Sequence, residues 1–424
     1  MFETFRNAWK IVDLRKKILF TLFIIIIFRI GSVIPVPFID VSMLKSASGT
    51  VANEFFNYLS ILTGGGLEYG AIFAMSVTPY INASIIMQLL TVAIPPLERI
   101  AKEGEEGQKR IAKYTRFATV ILGLIQGSAY YWYLSSGGYV SVTGGAKVFA
   151  AIVIILCFTA GSALMMWLGE QIDTKGIGNG ISVLLFAGII SRGPQTFNTL
   201  VGYWKLDQQA AVIGIILAFL LIIAFIVWMT NAERRIPVQY AKRVVGRKMY
   251  GGQNSHIPIK VNMSGVMPII FASSILMLPT MILSFMKNTS SSMYKFLTLF
   301  SVQGIFYAVI YFIMIIAFAY FYVTIQYNPI EMANNLRKNS GAIPGIRPGK
   351  PTSDFIQKIL SRITLLGALF LSVIAILPIV IGSVGGINVS LGGTSVLILV
   401  GVALDTVQNL ESQMMMRHYK GFLD

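Results

Sequence analysis

Val77-Thr-Pro-Tyr-Ile-Asn-Ala-Ser84 lies inside the apolar run 71–94, and a near copy, Val266-Met-Pro-Ile-Ile-Phe-Ala-Ser273, follows 189 residues later. Aligned on the valines, five of the eight positions are identical: Val, Pro, Ile, Ala and Ser. A proline within a helix removes a backbone donor and crowds the preceding turn. Membrane helices tolerate it where neighbours or water re-satisfy the freed carbonyl. Two proline-marked spans in corresponding halves of a chain therefore point to a central pathway at the repeat interface. Apolar octamers also share residues by chance, so a second pair is needed. Ser182-Val-Leu-Leu-Phe-Ala-Gly188 matches Ser395-Val-Leu-Ile-Leu-Val-Gly401 at Ser, Val, Leu and Gly, with an offset of 213 and the same order in each half. A repeated order fixes the architecture before any single motif is read.

The 424 residues are 55% hydrophobic and only 12% charged, with a mean hydropathy of +0.71. A soluble chain carries about a quarter charged residues, so this composition predicts a polytopic membrane protein. Apolar runs that cross a bilayer, or nearly so, are expected at ten places: about 18–34, 71–94, 117–134, 148–168, 177–191, 211–229, 264–286, 304–325, 359–381 and 394–411. The first follows Arg15-Lys16-Lys17, like the start of a signal peptide. It leads into Pro35-Val36-Pro37 without a small-residue cleavage pattern, and reads as a retained span. The fifth opens with Gly176-Ile-Gly-Asn-Gly180, read as a tight turn rather than a phosphate loop. The single cysteine, Cys157, excludes an intrachain disulfide. With two histidines besides, no zinc, iron or other cofactor site is expected.

Lys and Arg in the loops set the orientation. With the N-terminus in the cytoplasm, the segments on that side hold 27 of the 34 basic residues and the opposite loops six: Lys45, Lys147, Arg192, Lys205, Lys287 and Lys295. Arg29 lies within the first span. The asymmetry predicts ten spans with both ends cytoplasmic. The span with Pro79 then runs inward and that with Pro268 outward, giving two inverted five-helix halves, 1–207 and 208–424. This is an all-α architecture common in transporters.

Glu54–Gly70 is too short to span and ends its apolar part in Gly64-Gly-Gly66. It reads either as an amphipathic turn on the outer surface or as a short re-entrant helix able to move. Two cytoplasmic loops, 230–263 and 326–358, are unusually long. They carry Arg234-Arg235, Lys242-Arg243, Arg247-Lys248, Arg337-Lys338 and Gly345-Ile-Arg-Pro-Gly-Lys350. The positive-inside rule explains their charge, but not their length or the Gly and Pro around Arg347. Such loops suit nucleic-acid phosphates or an acidic protein surface.

Over nearly its whole length the chain resembles the SecY family of protein-conducting channels. The resemblance rests on Phe28-Arg-Ile-Gly-Ser-Val-Ile-Pro-Val-Pro37, residues 78–90, Trp167-Leu-Gly-Glu-Gln-Ile172 with residues 176–182, Tyr240-Ala-Lys-Arg243, residues 328–338, Gly345-Ile-Arg-Pro-Gly349 and Gly392-Gly-Thr-Ser395. It implies a channel between the two halves in the bacterial plasma membrane. The waist would be a ring of Val77, Ile81, Ile181, Leu185, Ile270 and Ile398. The plug helix would fall on 54–66, with Phe55, Phe56, Asn57, Tyr58, Leu59, Ile61, Leu62, Gly64 and Gly65. It further implies that the basic loops dock the ribosome and the motor ATPase SecA, that SecE clamps the halves, and that SecG sits at the periphery. The substrate would be a translocating polypeptide with a signal sequence, released sideways into the bilayer when hydrophobic. Val77 and Leu185 stand where the family's usual choice is isoleucine.

A narrow aliphatic waist sheds water and presents ions with a large barrier, and without polar groups it tolerates any sequence. Asn82, Gln88, Ser273 and Ser274 are expected near the lateral seam, where polar contacts would each favour closure by roughly 1 kcal/mol. Hydrogen bonding within one half is the alternative, at least as good for Gln88. A secondary transporter is the main rival, but it usually carries ionisable groups at mid-membrane. Here only Arg29 and Asp405 lie within spans away from their ends, with Arg362 and Glu411 at the margins. An enzyme is the weakest reading. Glu170 and Asp173 have no accompanying histidine or cysteine, and there is no nucleotide-binding Gly-x-x-x-x-Gly-Lys-Ser/Thr loop.

Overall fold

The computed structural model describes residues 2–47, 63–142, 144–205, 209–240, 243–245, 248–250, 254–285, 293, 297, 305–385 and 393–420. Its helices, in chain order, begin with α1 (Phe2–Lys10), α2 (Val12–Gly31), α3 (Val41–Ala47), α4 (Thr78–Ala93), α5 (Pro95–Lys102), α6 (Glu105–Ser136), α7 (Lys147–Lys175), α8 (Gly180–Ser191), α9 (Gly193–Lys205) and α10 (Gln209–Asn231). Strands β1 (Glu233–Tyr240), β2 (Arg243–Val245), β3 (Lys248–Tyr250) and β4 (Asn254–Lys260) follow. The chain continues through α11 (Met267–Phe285), α12 (Ile305–Gln326), α13 (Pro329–Lys338), β5 (Gly341–Ala342), α14 (Lys350–Gly385) and α15 (Gly393–Lys420).

The chain forms two compact units. One comprises Met1–Gln209, Pro279–Leu297 and Val402–Asp424; the other comprises Ala210–Leu278 and Thr298–Gly401. The first unit thus takes in the end of α15. There Leu410 is buried with Ala8, Leu14, Ile18 and Ile177, and Lys17 donates to Gln413 at 3.0 Å. Its second core lies under Val36, Leu67, Met75, Tyr130 and Phe158. In the other unit, α12 and α14 lie side by side, and the Tyr320 hydroxyl donates to the Ser361 carbonyl at 3.1 Å.

Among the described residues, five stretches are long and apolar enough to cross a bilayer: Gly144–Lys175, Val212–Asn231, Phe306–Lys338, Lys350–Leu377 and Ser395–Met415. A sixth is the pair α4 and α5 if counted together, bent by 102°. The other expected runs also fall on helices, but α2 carries Asp13, Arg15, Lys16, Lys17 and Arg29, and α8 has only 12 residues. The run 71–94 departs from expectation. Residues 71–77 are turns, and the helix starts only at Thr78. It stops at Ile94 (φ −111°, ψ 109°), the extended conformation that the following Pro95 imposes.

The prolines also sit differently than the sequence suggested. Pro79 and Pro268 are each the second residue of their helix, not interior breaks. In the first turn no intrahelical partner awaits the missing N–H, and the fixed φ suits the helix.

Close backbone approach decides where glycine is needed. A Cβ on Gly161 of α7 would lie 2.0 Å from the Ile72 carbonyl oxygen, whereas one on Gly214 of α10 meets nothing within 4 Å. Gly161→Ala should therefore lower stability by about 1–3 kcal/mol through overpacking. Gly214→Ala should leave it unchanged or raise it by up to about 1 kcal/mol. Thermal unfolding of the detergent-solubilised protein separates the two; equal midpoints would show that α7 can move away from Ile72.

Candidate functional site

In the first unit the centre is an irregular segment, 63–77, buried among helices. Thr63, Ala71, Ala74 and Val77 are fully enclosed, and Leu67, Phe73 and Ser76 nearly so. Backbone groups so placed must find partners inside the protein, and here they do. Val36 N–H donates to the Gly70 carbonyl (2.9 Å), Ile72 N–H to Ile34 (3.0 Å) and Ala71 N–H to Gly66 (2.9 Å). The Tyr130 hydroxyl donates to the Leu67 carbonyl at 2.9 Å. Phe73 stacks on Phe28 with ring centroids 6.5 Å apart.

The Gly64 carbonyl accepts twice, from Arg29 Nη1 at 2.9 Å and from Ser191 Oγ at 3.3 Å. Nearby, Arg192 Nη2 is ion-paired with Glu68 Oε1, both side chains largely buried. Arg29, the charge within the first apolar run, is an exposed residue whose guanidinium is matched to a backbone carbonyl. Gly65 is also described, but residues 54–62, and with them most of the expected plug, lie outside the described residues.

Four of the residues expected in the ring fall in two matched pairs of the repeat, Ile81 with Ile270 and Leu185 with Ile398. Ile81 N–H donates to the Val77 carbonyl at 3.0 Å, and Ile270 N–H to the Val266 carbonyl at 3.3 Å. Ala83 and Ala272, the aligned alanines, are both fully buried. On α8, Val183, Leu184 and Leu185 are 5%, 0% and 4% exposed; on α15, Val396, Leu397 and Ile398 are 3%, 1% and 3%. The repeat therefore carries burial as well as letters. Val77, Ile81, Ile181 and Leu185 belong to the first unit, Ile270 and Ile398 to the second. Within the first, the Ile181 side chain lies over Gly169 of α7. Within the second, Gly401 of α15 faces Val266, at the start of α11.

Of the residues expected at the seam, Asn82 and Ser274 are half-buried. Gln88 donates to Ser84 Oγ at 3.4 Å and Ser273 Oγ to the Ile270 carbonyl at 3.0 Å, each within its own helix. Glu170 pairs with Arg116 at 2.7 Å, and Asp173 accepts from Gly180 N–H at 2.7 Å, capping the turn before α8.

The two long loops are structured, where the sequence suggested loops alone. β1 and β4 pair antiparallel from Glu233↔Lys260 to Gln239↔Asn254, and β5 joins the other edge of β1 through Gln239↔Ala342 and Tyr240↔Gly341. One three-stranded sheet, β4-β1-β5, therefore links them. Beneath it Ile236, Val238 and Ile259 pack with Leu336 of α13, Ile343, and Ile356 and Leu360 of α14. Arg234, Arg235, Arg337, Lys338, Arg347 and Lys350 are exposed. Arg235 pairs with Glu233 at 2.6 Å. Arg347 is presented between Gly345 (φ 81°) and Gly349 (φ 108°), and its carbonyl accepts from Thr352 Oγ1 at 2.8 Å. Arg243 and Lys248 start the short β2–β3 hairpin. Lys242 and Arg247 lie outside the described residues.

The SecY sequence profile matches residues 71–407. The protein translocase subunit SecY of Mycobacterium tuberculosis strain H37Rv is 42% identical over 445 residues, covering 100% of both chains. The chain belongs to the SecY family. The SecY of Streptomyces galbus is likewise 42% identical, over 444 residues and 100% of each chain. A solved protein-conducting channel superposes with a TM-score of 0.66 at 18% identity, over 94% of this chain and 92% of that one. Sec61 in a canine ribosome–channel complex from the endoplasmic reticulum superposes at 0.61 and 16%, over 94% and 92%. These two establish the fold.

Within this SecY-family fold, sequence reasoning missed the partners of Arg29 and Arg192 and the sheet joining the loops. The sheet did leave a signal: Ile236 and Val238, and Ile257 and Ile259, alternate with polar residues or proline, a strand period. Nothing local marked Ser76, which enters α4 at φ 48° with its buried Oγ lacking a hydrogen-bond partner. An L-residue there bears roughly 1–2 kcal/mol of strain. Ser76→Gly should relieve it and raise the unfolding midpoint in detergent, whereas Ser76→Ala should not; equal gains would locate the cost in the hydroxyl instead.

Proposed function

We propose that this chain is the channel subunit of a bacterial protein translocase. It passes unfolded secretory polypeptides across the plasma membrane and releases hydrophobic segments sideways into the bilayer. Full-length identity of 42% to proteins named protein translocase subunit SecY carries this reading. The aliphatic repeat positions support it: none of Val77, Ile81, Ile181, Leu185, Ile270 and Ile398 bears a polar group that would grip a substrate or couple an ion. That weighs against a secondary transporter, which needs ionisable groups at its binding site. The six residues form the waist of the pore, and water leaves such an aliphatic constriction. Residues 54–66 plug it. Asn82, Gln88, Ser273 and Ser274 border the lateral seam.

Both termini are cytoplasmic, as 27 of 34 basic residues on that side support. The exposed arginines around the β4-β1-β5 sheet receive the ribosome and SecA, and SecE and SecG complete the complex. One of the superposable channels is itself ribosome-bound. The chain performs no catalysis; ATP hydrolysis belongs to the motor.

Three measurements test this. Ile81→Ser combined with Ile270→Ser should raise small-ion conductance several-fold in planar bilayers without preventing folding. In a Cys157→Ser background, cysteines at positions 81, 270 and 398 should cross-link to a cysteine in a polypeptide arrested in transit, and those at Ile25 and Ile316 should not. The reverse pattern would place the path elsewhere. Arg347→Glu should impair export while leaving membrane insertion of the chain intact. Normal export by that variant would leave the basic surface with only its orienting role.

A further inference from the structure

We propose that Pro258 and Pro237 keep the β4-β1-β5 sheet from capturing the polypeptides that the channel transports, by interrupting the outward-facing donors along its two edges. The inference rests on the channel reading above and adds the residues that decide which chains the sheet does not bind.

β4 pairs along its length with β1, and among the described residues it has no strand on its other side. β1 meets β5 only through Gln239 and Tyr240, so residues 233–238 likewise face no described strand on that side. Such edges offer rows of N–H and carbonyl groups, and an extended peptide can add to them as a further strand. A transported polypeptide is unfolded, and is therefore the chain best able to do so. The register shows which groups face outward. Val261 N–H donates to the Ala232 carbonyl at 2.8 Å. Arg234↔Ile259 and Ile236↔Ile257, two and four residues on, are then hydrogen-bonded pairs as well, and Arg235↔Pro258 and Pro237↔His256 are non-hydrogen-bonded pairs that turn their backbone groups away from the partner strand. The outward positions are 254, 256, 258 and 260 on β4, and 233, 235, 237 and 239 on β1. Proline has no N–H to donate, and it stands third in each row. Gln239, the fourth on β1, already pairs with β5. No more than two successive outward donors therefore remain on either edge.

Neither proline serves the core. Ile236, Val238 and Ile259 turn to the buried face of the sheet, whereas Pro237 and Pro258 are exposed. Neither opens its strand; each lies inside one. Within a strand, proline is tolerated where its nitrogen faces away from a neighbour, and here two prolines hold such positions on opposite edges of one sheet. A sheet that had only to cover the core beneath it would gain nothing from proline there, because valine or threonine suits a strand better. Arg235 and Lys260, at outward positions of the same rows, add charge to the edges, another device that discourages strand addition.

The test uses the protein purified in detergent with its partner subunits. The probe is a fluorescent peptide of about six alternating threonines and valines, flanked by glutamates. The parent should bind it only weakly. Pro258→Val restores the third of four outward donors and should bind it roughly tenfold more tightly. Pro237→Val, whose edge is shortened by β5, should fall between the two. Moving the block by one outward position, Pro258→Val with His256→Pro, should return binding to the parental level, which a merely structural role of Pro258 would not do. In proteoliposomes with Cys157→Ser and Ser255→Cys, a preprotein carrying a single cysteine should cross-link at position 255 when Pro258→Val is added, and not when Pro258 is kept. Pro237→Val carries the test should Pro258→Val fail to fold. A parent that binds the peptide as tightly as the valine variants, folded valine variants that bind no better than the parent, or binding that survives His256→Pro would overturn the inference. So would a Pro258→Val protein that ignores the peptide and pairs with a second copy of itself. Parental protein that fails to translocate the preprotein would instead sink the channel reading and leave the peptide result standing.

Discussion

Backbone polarity in an apolar body is the constraint on which the first unit depends. Segment 63–77 is neither helix nor strand, yet it runs through the interior, where each unpaired N–H or carbonyl costs several kcal/mol. Its partners come from different elements: residues 31–36, Tyr130 of α6 and Ser191 of α8. The absence of a Cβ on Gly161 lets α7 approach the Ile72 carbonyl. Helices that share no sequence proximity are thereby tied to one stretch of irregular chain.

The repeat acquires a physical meaning from its helix starts. Pro79 and Pro268 open α4 and α11, and the turn from Val77 to Ile81 is matched by that from Val266 to Ile270. Proline sets where each helix begins, and so which isoleucine stands one turn in. The second pair works likewise: Gly180 and Gly393 each open a helix two residues ahead of the shared serine. Asn179 caps the first of these by accepting from Ser182 N–H at 3.1 Å.

Much of this was legible because membrane helices announce themselves through composition, and because the repeat was strong at Pro79, Ile81, Leu185 and their partners. The tight turn at Gly176–Gly180 was readable for the same reason, since its glycines have few other uses. What escaped was set by tertiary context. An apolar run such as 71–77 looks the same whether it is helix or buried coil, and only Gly31, Tyr130 and Gly161 from elsewhere decide it. Arg29 showed its charge but not the carbonyl it serves. The long basic loops were judged by charge, which masked the alternation at Ile236 and Val238. Their pairing with Gly341 and Ala342, about a hundred residues on, has no local signature.

α14 has 36 residues, about 54 Å at 1.5 Å per residue, against a hydrocarbon layer of about 30 Å. Its first turns, at Ile356, Leu360 and Ile363, are part of the core beneath the β4-β1-β5 sheet, and the same helix continues as a candidate span to Leu377. No interior proline interrupts it before residue 378, so sheet and span share one uninterrupted hydrogen-bonded shaft. A load applied to the basic surface would be delivered as torque on a membrane helix, without a flexible joint to absorb it.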